Sequence, residues 1–302
     1  DYKAPKGIES YYIKMDDKIR IRICQWIIKK NKNGTILIQQ GHNEFIEKYY
    51  ETIQEFIDRG FSVIAFDWRG QGMSDHQIED LNKSYIEDFS RHDKDLNYIL
   101  KNIVDIFFPK PLIGIGHSMG GCLMLSSFHN HKNQFALGIL SAPMLGFKNE
   151  KFLKTASSLM NIFRKDTDYL LGSKPNMGKE TPFEENDLTS DPDRYKRALM
   201  LVRKKPEIRL WGVTNSFAKA VNKRFKIIRK RDWAEQIDLN ILILNSLKDR
   251  VVYSKKIKEM SDRIKNSNLV NFDSCEHEIF MEKDIYRDVA WKEIDSFFKK
   301  NL

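Results

Sequence analysis

Residues 111–121 read PLIGIGHSMGG. An apolar run, Pro111 to Ile115, gives way at once to a serine set among glycines, and helix-compatible residues follow. A short branched-apolar run of this kind predicts a buried strand, so Ser118 falls at a sharp corner between strand and helix. Gly116 and Gly120 stand two residues to either side, where so tight a turn leaves no room for a Cβ and holds the central residue in a strained backbone conformation. The G-x-S-x-G pattern therefore predicts a serine hydroxyl exposed at the tip of the turn. Five residues are too few to decide chemistry, so the rest of the chain has to supply partners for Ser118.

Working outward, eight segments read as strands. IESYYI and KIRIRICQWII near the N-terminus alternate apolar and polar residues and are joined at MDDK, which predicts an antiparallel hairpin. TILIQQ (35–40), FSVIAFD (61–67), PLIGIG (111–116), FALGILSAP (135–143), LNILILNS (239–246) and NLVNFDS (268–274) are mostly continuous apolar runs. Such runs mark strands covered on both faces of a parallel sheet. Helical patterns lie between them, including FIEKYYETIQEFIDRG and the terminal DIYRDVAWKEIDSFFKK. The fold class is α/β, a mostly parallel sheet flanked by helices. From Met144 to Asp238 the rhythm breaks: the sequence is helix-like with Gly and Pro interruptions and has no clear strand. We read residues 1–143 and 239–302 as the core and 144–238 as a helical cap inserted between two strands.

Composition sets the bounds. The 302 residues are 41% hydrophobic and 12% aromatic, enough for a packed core and too much for a disordered chain. No run reaches the ~18 consecutive apolar residues of a membrane-spanning helix, and no charged-then-apolar leader opens the chain. The first residue is Asp1, which leaves a processed leader open. Cys24, Cys122 and Cys275 are odd in number and have no paired spacing, which argues against a disulfide framework or a zinc site. Cys24 and Cys122 read as buried thiols. Cys275 marks proximity to a site without being a nucleophile. We expect a cytoplasmic protein with neither cofactor nor metal, one that can also sit at the periphery of a membrane.

In open α/β sheets the functional groups gather beyond the carboxyl ends of the strands. Of seven histidines, His129 and His131 lie on the helix after Ser118, His92 in a helical pattern, His76 in a polar loop and His117 on the turn itself. His277, in DSCEHEIF, follows the last strand, where a loop can bring an imidazole back to the corner. For the acid, LNILILNSLKDRVV ends a strand and places Asp249 in the next loop; Asp238 lies at the wrong end of that strand, and Asp273 remains a competitor. A serine hydroxyl is a poor nucleophile until a base removes its proton, here His277, and a carboxylate, here Asp249, fixes the imidazole tautomer. The oxyanion needs donors as well. The main-chain N–H of Met119 at the helix start is one, and the N–H of His42, in GHNE after the strand TILIQQ, is the other. Gly41 could equally be an ordinary turn glycine.

The order Ser, Asp, His and the stretches GHSMGG, QGHNEF, FDWRGQGMSD, LKDRVV and EHEIFME together resemble the α/β-hydrolase group that contains bacterial lysophospholipases and monoacylglycerol lipases. The resemblance covers most of the chain, and the cap stretch LTSDPDRYKRALMLVRKKPEIRLWGVT resembles the lysophospholipase branch. It implies the α/β-hydrolase fold with a helical cap, with Ser118 as nucleophile, Asp249 as acid and His277 as base. Where the family usually has His-Gly before the oxyanion loop, this chain has Gln40-Gly41. FDWRGQGMSD has glycines that could be mistaken for a phosphate loop, but it lacks the further glycine or Lys-Ser/Thr that a nucleotide needs and reads as scaffold.

Lys and Arg exceed Asp and Glu by 51 to 42, a formal +9, which favours anionic partners. The cap holds AVNKRFKIIRKRDW (220–233), where six basic residues interleave with Phe225, Ile227, Ile228 and Trp233. Such a segment can lie on an anionic membrane, and equally it can be a solvated face. Nucleic acid is not expected, because no recognition motif accompanies the charge. The leading reading is a serine carboxylester hydrolase releasing a fatty acid from a lysophospholipid or monoacylglycerol through an acyl-enzyme on Ser118. A small-ester carboxylesterase and a noncatalytic hydrolase-fold binding protein stay open as alternatives; the second is expected to have lost members of the triad.

Overall fold

The computed structural model describes residues 3–29, 33–148, 150, 165–171, 173 and 175–302. In chain order its elements are β1 (Glu9–Lys14), β2 (Arg20–Trp26), β3 (Thr35–Gln39), α1 (Tyr50–Asp58), β4 (Ser62–Phe66), β5 (Lys83–Ser84), α2 (Phe89–Ile99), β6 (Leu112–His117), α3 (Ser118–Asn130) and β7 (Leu137–Ser141). After these come α4 (Pro192–Lys204), β8 (Gly212–Val213), α5 (Asn215–Ile228), β9 (Ile241–Ser246), α6 (Ser254–Ser261), β10 (Ser267–Phe272) and α7 (Asp284–Asn301). All eight strands expected from the sequence form one sheet in the order β1-β2-β4-β3-β6-β7-β9-β10. β2 runs antiparallel to both β1 and β4, and every other pairing is parallel. This is the α/β-hydrolase fold.

The continuous apolar runs are explained by two cores. Successive side chains in a strand point to opposite faces, so within β3 Leu37 joins one apolar cluster while Ile36 and Ile38 join the other. The first cluster is closed by α2, α3, α5 and α6 through residues such as Leu96, Leu123, Phe225 and Ile257. The second is closed by α1 and α7 through Ile53, Phe56, Trp291 and Ile294. Strands β3, β4, β6, β7 and β9 are buried from end to end. β10 is the outer strand and is only partly buried.

Between β7 and β9, α4 begins where the Asp191 carboxylate accepts the N–H groups of Asp193 and Arg194, with Pro192 in the first turn. α5 begins at Thr214, whose hydroxyl accepts from Phe217. One feature of this interval was not expected: β8 pairs in parallel with β5 to make a small second sheet. Two residues on each side are too short for any period to be read from sequence. The helix-like stretch 151–164 of the expected cap lies outside the described residues.

Candidate active site

Ser118 sits at the junction of β6 and α3 with φ +49°, the left-handed region that non-glycine residues rarely occupy. The neighbouring glycines allow that corner to close. A Cβ on Gly116 would fall 2.7 Å from the carbonyl oxygen of Gly120, and one on Gly120 would fall 2.4 Å from the carbonyl oxygens of Gln39 and Gln40. The start of α3 is thereby pressed against the end of β3, and Met144 N–H donates to the Ser118 carbonyl at 2.8 Å. The serine is not exposed at a tip as the motif predicts: only 6% of its surface is open. Gly41 packs over it, so close that a Cβ there would lie 3.1 Å from Ser118 Cβ.

Asp249 and His277 are brought together. Asp249 follows β9 and is buried; its Oδ1 accepts the N–H groups of Val251 and Val252 at 2.7 and 2.8 Å, and its Oδ2 faces His277 Nδ1 at 2.6 Å. The competitor Asp273 is exposed, as is Asp238, which bonds Asn266. The His277 ring packs against His117, centroids 4.7 Å apart, and His117 Nδ1 is 3.1 Å from the Ser141 carbonyl oxygen. Burial holds His117 down at about 4, so that ring is neutral. Among the described residues no hydrogen bond joins Ser118 to His277. His129 is occupied elsewhere, stacked on Trp233 at 4.4 Å, and His92 is enclosed by Trp68 and Phe89.

The turn Gly41–Glu44 is fixed from several sides. Glu44 Oε2 accepts Gly41 N–H at 2.5 Å, Gln71 Oε1 accepts Asn43 N–H at 2.9 Å, and Gln71 Nε2 donates to the Gly41 carbonyl at 3.1 Å. The Asn43 side chain makes a two-way bond with the main chain of Leu210, accepting at 2.8 Å and donating at 3.2 Å. The N–H groups of His42 and Met119 have no partner among the described residues. His42 Nε2 lies 2.6 Å from Ser84 Oγ and its ring rests on Phe217, and burial holds it down at about 4. Gln40, the departure from the family pattern, donates through Nε2 to Asp67 at 3.3 Å, while its main-chain carbonyl accepts from Trp68 Nε1.

FDWRGQGMSD is scaffold. Asp67 accepts from Arg22, Met73 and Ile46, and burial pushes it up to about 6 despite Arg22. Arg69 forms a two-bond pair with Asp95 at 2.6 Å. Its polar groups therefore face protein partners.

Sequence reasoning missed a buried polar cluster beside the turn. Lys48 Nζ donates to Glu44 Oε1 at 2.8 Å and to Glu278 Oε1 at 2.5 Å, and Tyr49 hydroxyl donates to Glu44 Oε2 at 2.7 Å. Ligating atoms of Glu44, His117 and Glu278 come within 4.8 Å of one another, a spacing that suits a metal ion, and the Lys48 ammonium supplies the positive charge there. The available signal was the Glu44/Lys48 spacing of four, a common ion-pair interval, although Glu44 itself lies in the loop before the short helical turn that carries Lys48.

The basic stretch 220–233 turns most of its apolar side chains inward. Phe225, Ile228 and Trp233 are buried, leaving Ile227 as its one exposed large apolar residue. Lys223 pairs with Asp88, Arg224 with Asp93 at 2.6 Å, and Arg229 with Glu150 at 2.8 Å. An amphipathic period cannot tell a face turned to lipid from one turned to a core, and here it faces the core shared with α2 and α3. All three cysteines are buried free thiols. Burial pushes Cys122 up to about 12 and raises Cys275, so neither is a nucleophile at neutral pH. No helix among the described residues is long and apolar enough to cross a membrane.

Comparison with known proteins agrees with this architecture. The chain is 26% identical over 268 residues to a probable lysophospholipase L2 of Haemophilus influenzae, covering 87% of this chain and 82% of that protein. It is 25% identical over 301 residues to lysophospholipase L2 of Escherichia coli, covering 94% and 86%. A soluble variant of monoglyceride lipase from Saccharomyces cerevisiae, solved with a substrate analog, superimposes with a TM-score of 0.76 at 18% identity, covering 100% of this chain and 99% of that one. The Hydrolase_4 family, described as serine aminopeptidase, S33, matches residues 30–284, and the chain belongs to it as a serine hydrolase of the α/β-hydrolase fold.

Proposed function

We propose that the protein hydrolyses the carboxylic ester of a lysophospholipid or monoacylglycerol, with Ser118 as nucleophile, His277 as base and Asp249 as the acid that holds it. The observation that carries this reading is the His277 Nδ1 to Asp249 Oδ2 contact of 2.6 Å beside a serine at φ +49°. His277 Nε2 takes the Ser118 proton as Oγ bonds to the ester carbonyl carbon. The N–H groups of His42 and Met119 stabilise the oxyanion, and the proton passes to the departing alcohol as the ester bond breaks. Water then attacks the acyl-enzyme by the same route and releases the fatty acid. The Ser118–His277 hydrogen bond forms in the substrate complex, where catalytic contacts tighten.

In this reading residues 144–238 act as the cap and hold the acyl chain. Support comes from a cavity of about 300 Å³ with a mainly apolar lining that includes Phe147, Leu170, Val213, Phe217 and Val221. Phe217 also touches His42, which links that cavity to the oxyanion turn. The lysophospholipase names of the two bacterial relatives favour a phospholipid head group. The enzyme meets its substrate at an anionic lipid surface through its exposed cap cations. A fluorophosphonate label with peptide mapping, run beside a panel of lysophospholipids, monoacylglycerols, short esters and aminoacyl amides, tests the proposal. Labelling of Ser118 with turnover of the single-chain lipids is expected. Turnover confined to amides, or a label on another residue, overturns it.

A further inference from the structure

Lys48 joins two loops that the proposed mechanism needs at a set separation. On one side, Glu44 is part of the oxyanion turn itself: one of its oxygens accepts Gly41 N–H and Tyr49 hydroxyl, and the other accepts Lys48. On the other side Lys48 donates to Glu278, the residue after His277. All of these side chains are buried, with His117 packed between Gly41 and the His277 ring. Burial works against the charge on Glu44, yet Lys48, His117 and Tyr49 hold it down at about 2, and Lys48 is itself raised by its two carboxylates against its own burial. Burial raises Glu278, which meets the same ammonium with fewer donors. A lysine in such a place loses hydration, and two carboxylates at hydrogen-bond distance offset that loss.

We propose that Lys48 is a positioning residue, whose ammonium, clamped between Glu44 and Glu278, fixes the turn that presents the His42 N–H relative to the loop that carries His277. It touches neither substrate nor reacting atoms. Oxyanion donors and base act within a few tenths of an ångström of their productive geometry, so loosening this link lowers the rate of the chemical step and leaves ground-state binding nearly intact. The inference rests on the function proposed above, since it presumes that His42 and His277 share one reaction.

The test measures kcat and KM on a soluble short-chain ester, the unfolding temperature, and the fraction of protein labelled by a fluorophosphonate. Glu278→Leu removes the bond to Lys48 without leaving a new charge. Its kcat is expected to fall about 10- to 100-fold with KM within about 3-fold of wild type, while Ser118 still labels to completion, more slowly. Glu278→Gln, whose amide oxygen can still accept from Lys48, is expected to recover most of the lost kcat. If Glu278→Leu does not fold, Glu278→Met, closer to glutamate in shape and without its charge, is read in the same way, the Lys48–Glu44 pair being kept. A folded Glu278→Leu or Glu278→Met variant with wild-type kcat, a loss confined to KM, or a Gln variant as slow as the apolar variant overturns the positioning role. A wild-type protein that neither labels nor turns over ester overturns the function reading, and this one with it.

Discussion

At the residue scale the site rests on groups that cannot be exchanged for near neighbours. Ser118→Ala removes the proposed nucleophile, and turnover is expected to fall on the order of 10⁴-fold or more. Asp249→Asn keeps an acceptor for Val251 and Val252 but favours the wrong imidazole tautomer, and a loss on the order of 10⁴-fold is expected. If Ser118, His277 and Asp249 act as the proposed unit, the Ser118→Ala/Asp249→Asn double variant should be no slower than Ser118→Ala alone, which steady-state kinetics with circular dichroism as the folding control will show. Gly41 is a more local case. It is not needed for a positive φ; it is needed because a Cβ would meet Glu44 Oε2 at 2.8 Å, His117 Cδ2 at 3.0 Å and Ser118 Cβ at 3.1 Å. Gly41→Ala therefore has to push the turn off Ser118, and kcat should drop about 10- to 100-fold. Unchanged kcat in that variant would mean that the turn has no part in the chemistry.

At the scale of elements, the interval between β7 and β9 is tied to the core by polar contacts as well as by α5. Glu51 at the start of α1 accepts from Arg194 of α4 at 2.6 and 3.0 Å, from Arg197 of α4, and from Arg287 of α7 at 3.2 Å. Burial works against its charge, but Arg194, Arg287 and Arg197 together hold the carboxyl at about 2 against an ordinary 4.5. The folded state thus binds fewer protons than the unfolded state between these values. The stabilisation is complete above about 4.5 and is lost as pH falls towards 2. Glu51→Gln should flatten stability against pH across that window and cost about 1–2 kcal/mol at neutral pH, less than a fully buried pair because part of the cluster reaches solvent. Urea unfolding at several pH values measures both. Equal acid sensitivity in wild type and variant would assign the slope to other carboxylates.

At the scale of the whole molecule, the excess of positive charge is the property that bears on where the enzyme meets its substrate. Arg224 and Arg229 are paired to carboxylates, and Lys223 faces solvent but is paired with Asp88; the other exposed cations of the basic stretch are Lys226, Lys230 and Arg231, the last beside Asp232 at 3.8 Å. Each cation near an anionic surface contributes ~1 kcal/mol, so the proposed adsorption should be electrostatic and salt-sensitive. Reversing Lys226, Lys230 and Arg231 to Glu should weaken co-sedimentation with anionic vesicles at low salt and slow hydrolysis of aggregated lipid, with little change on a soluble ester. Equal vesicle binding by both proteins would make the stretch an ordinary solvated face. The sequence by itself determined the sheet and its corner: strands β3, β4, β6, β7 and β9 are buried on both faces and so read as unbroken apolar runs, and the Gly116–Ser118–Gly120 spacing admits little but a tight strand-to-helix turn. It also put Asp249 and His277 after strands whose carboxyl ends meet, because parallel order forces their loops to one edge. Tertiary structure alone decided that Ser118 is covered, that Phe225, Ile228 and Trp233 turn inward, that β5 finds β8, and that Glu44, Lys48 and Glu278 share one buried charge. Each of these depends on a contact between segments distant in the chain, and neither periodicity nor local spacing carries a record of the partner.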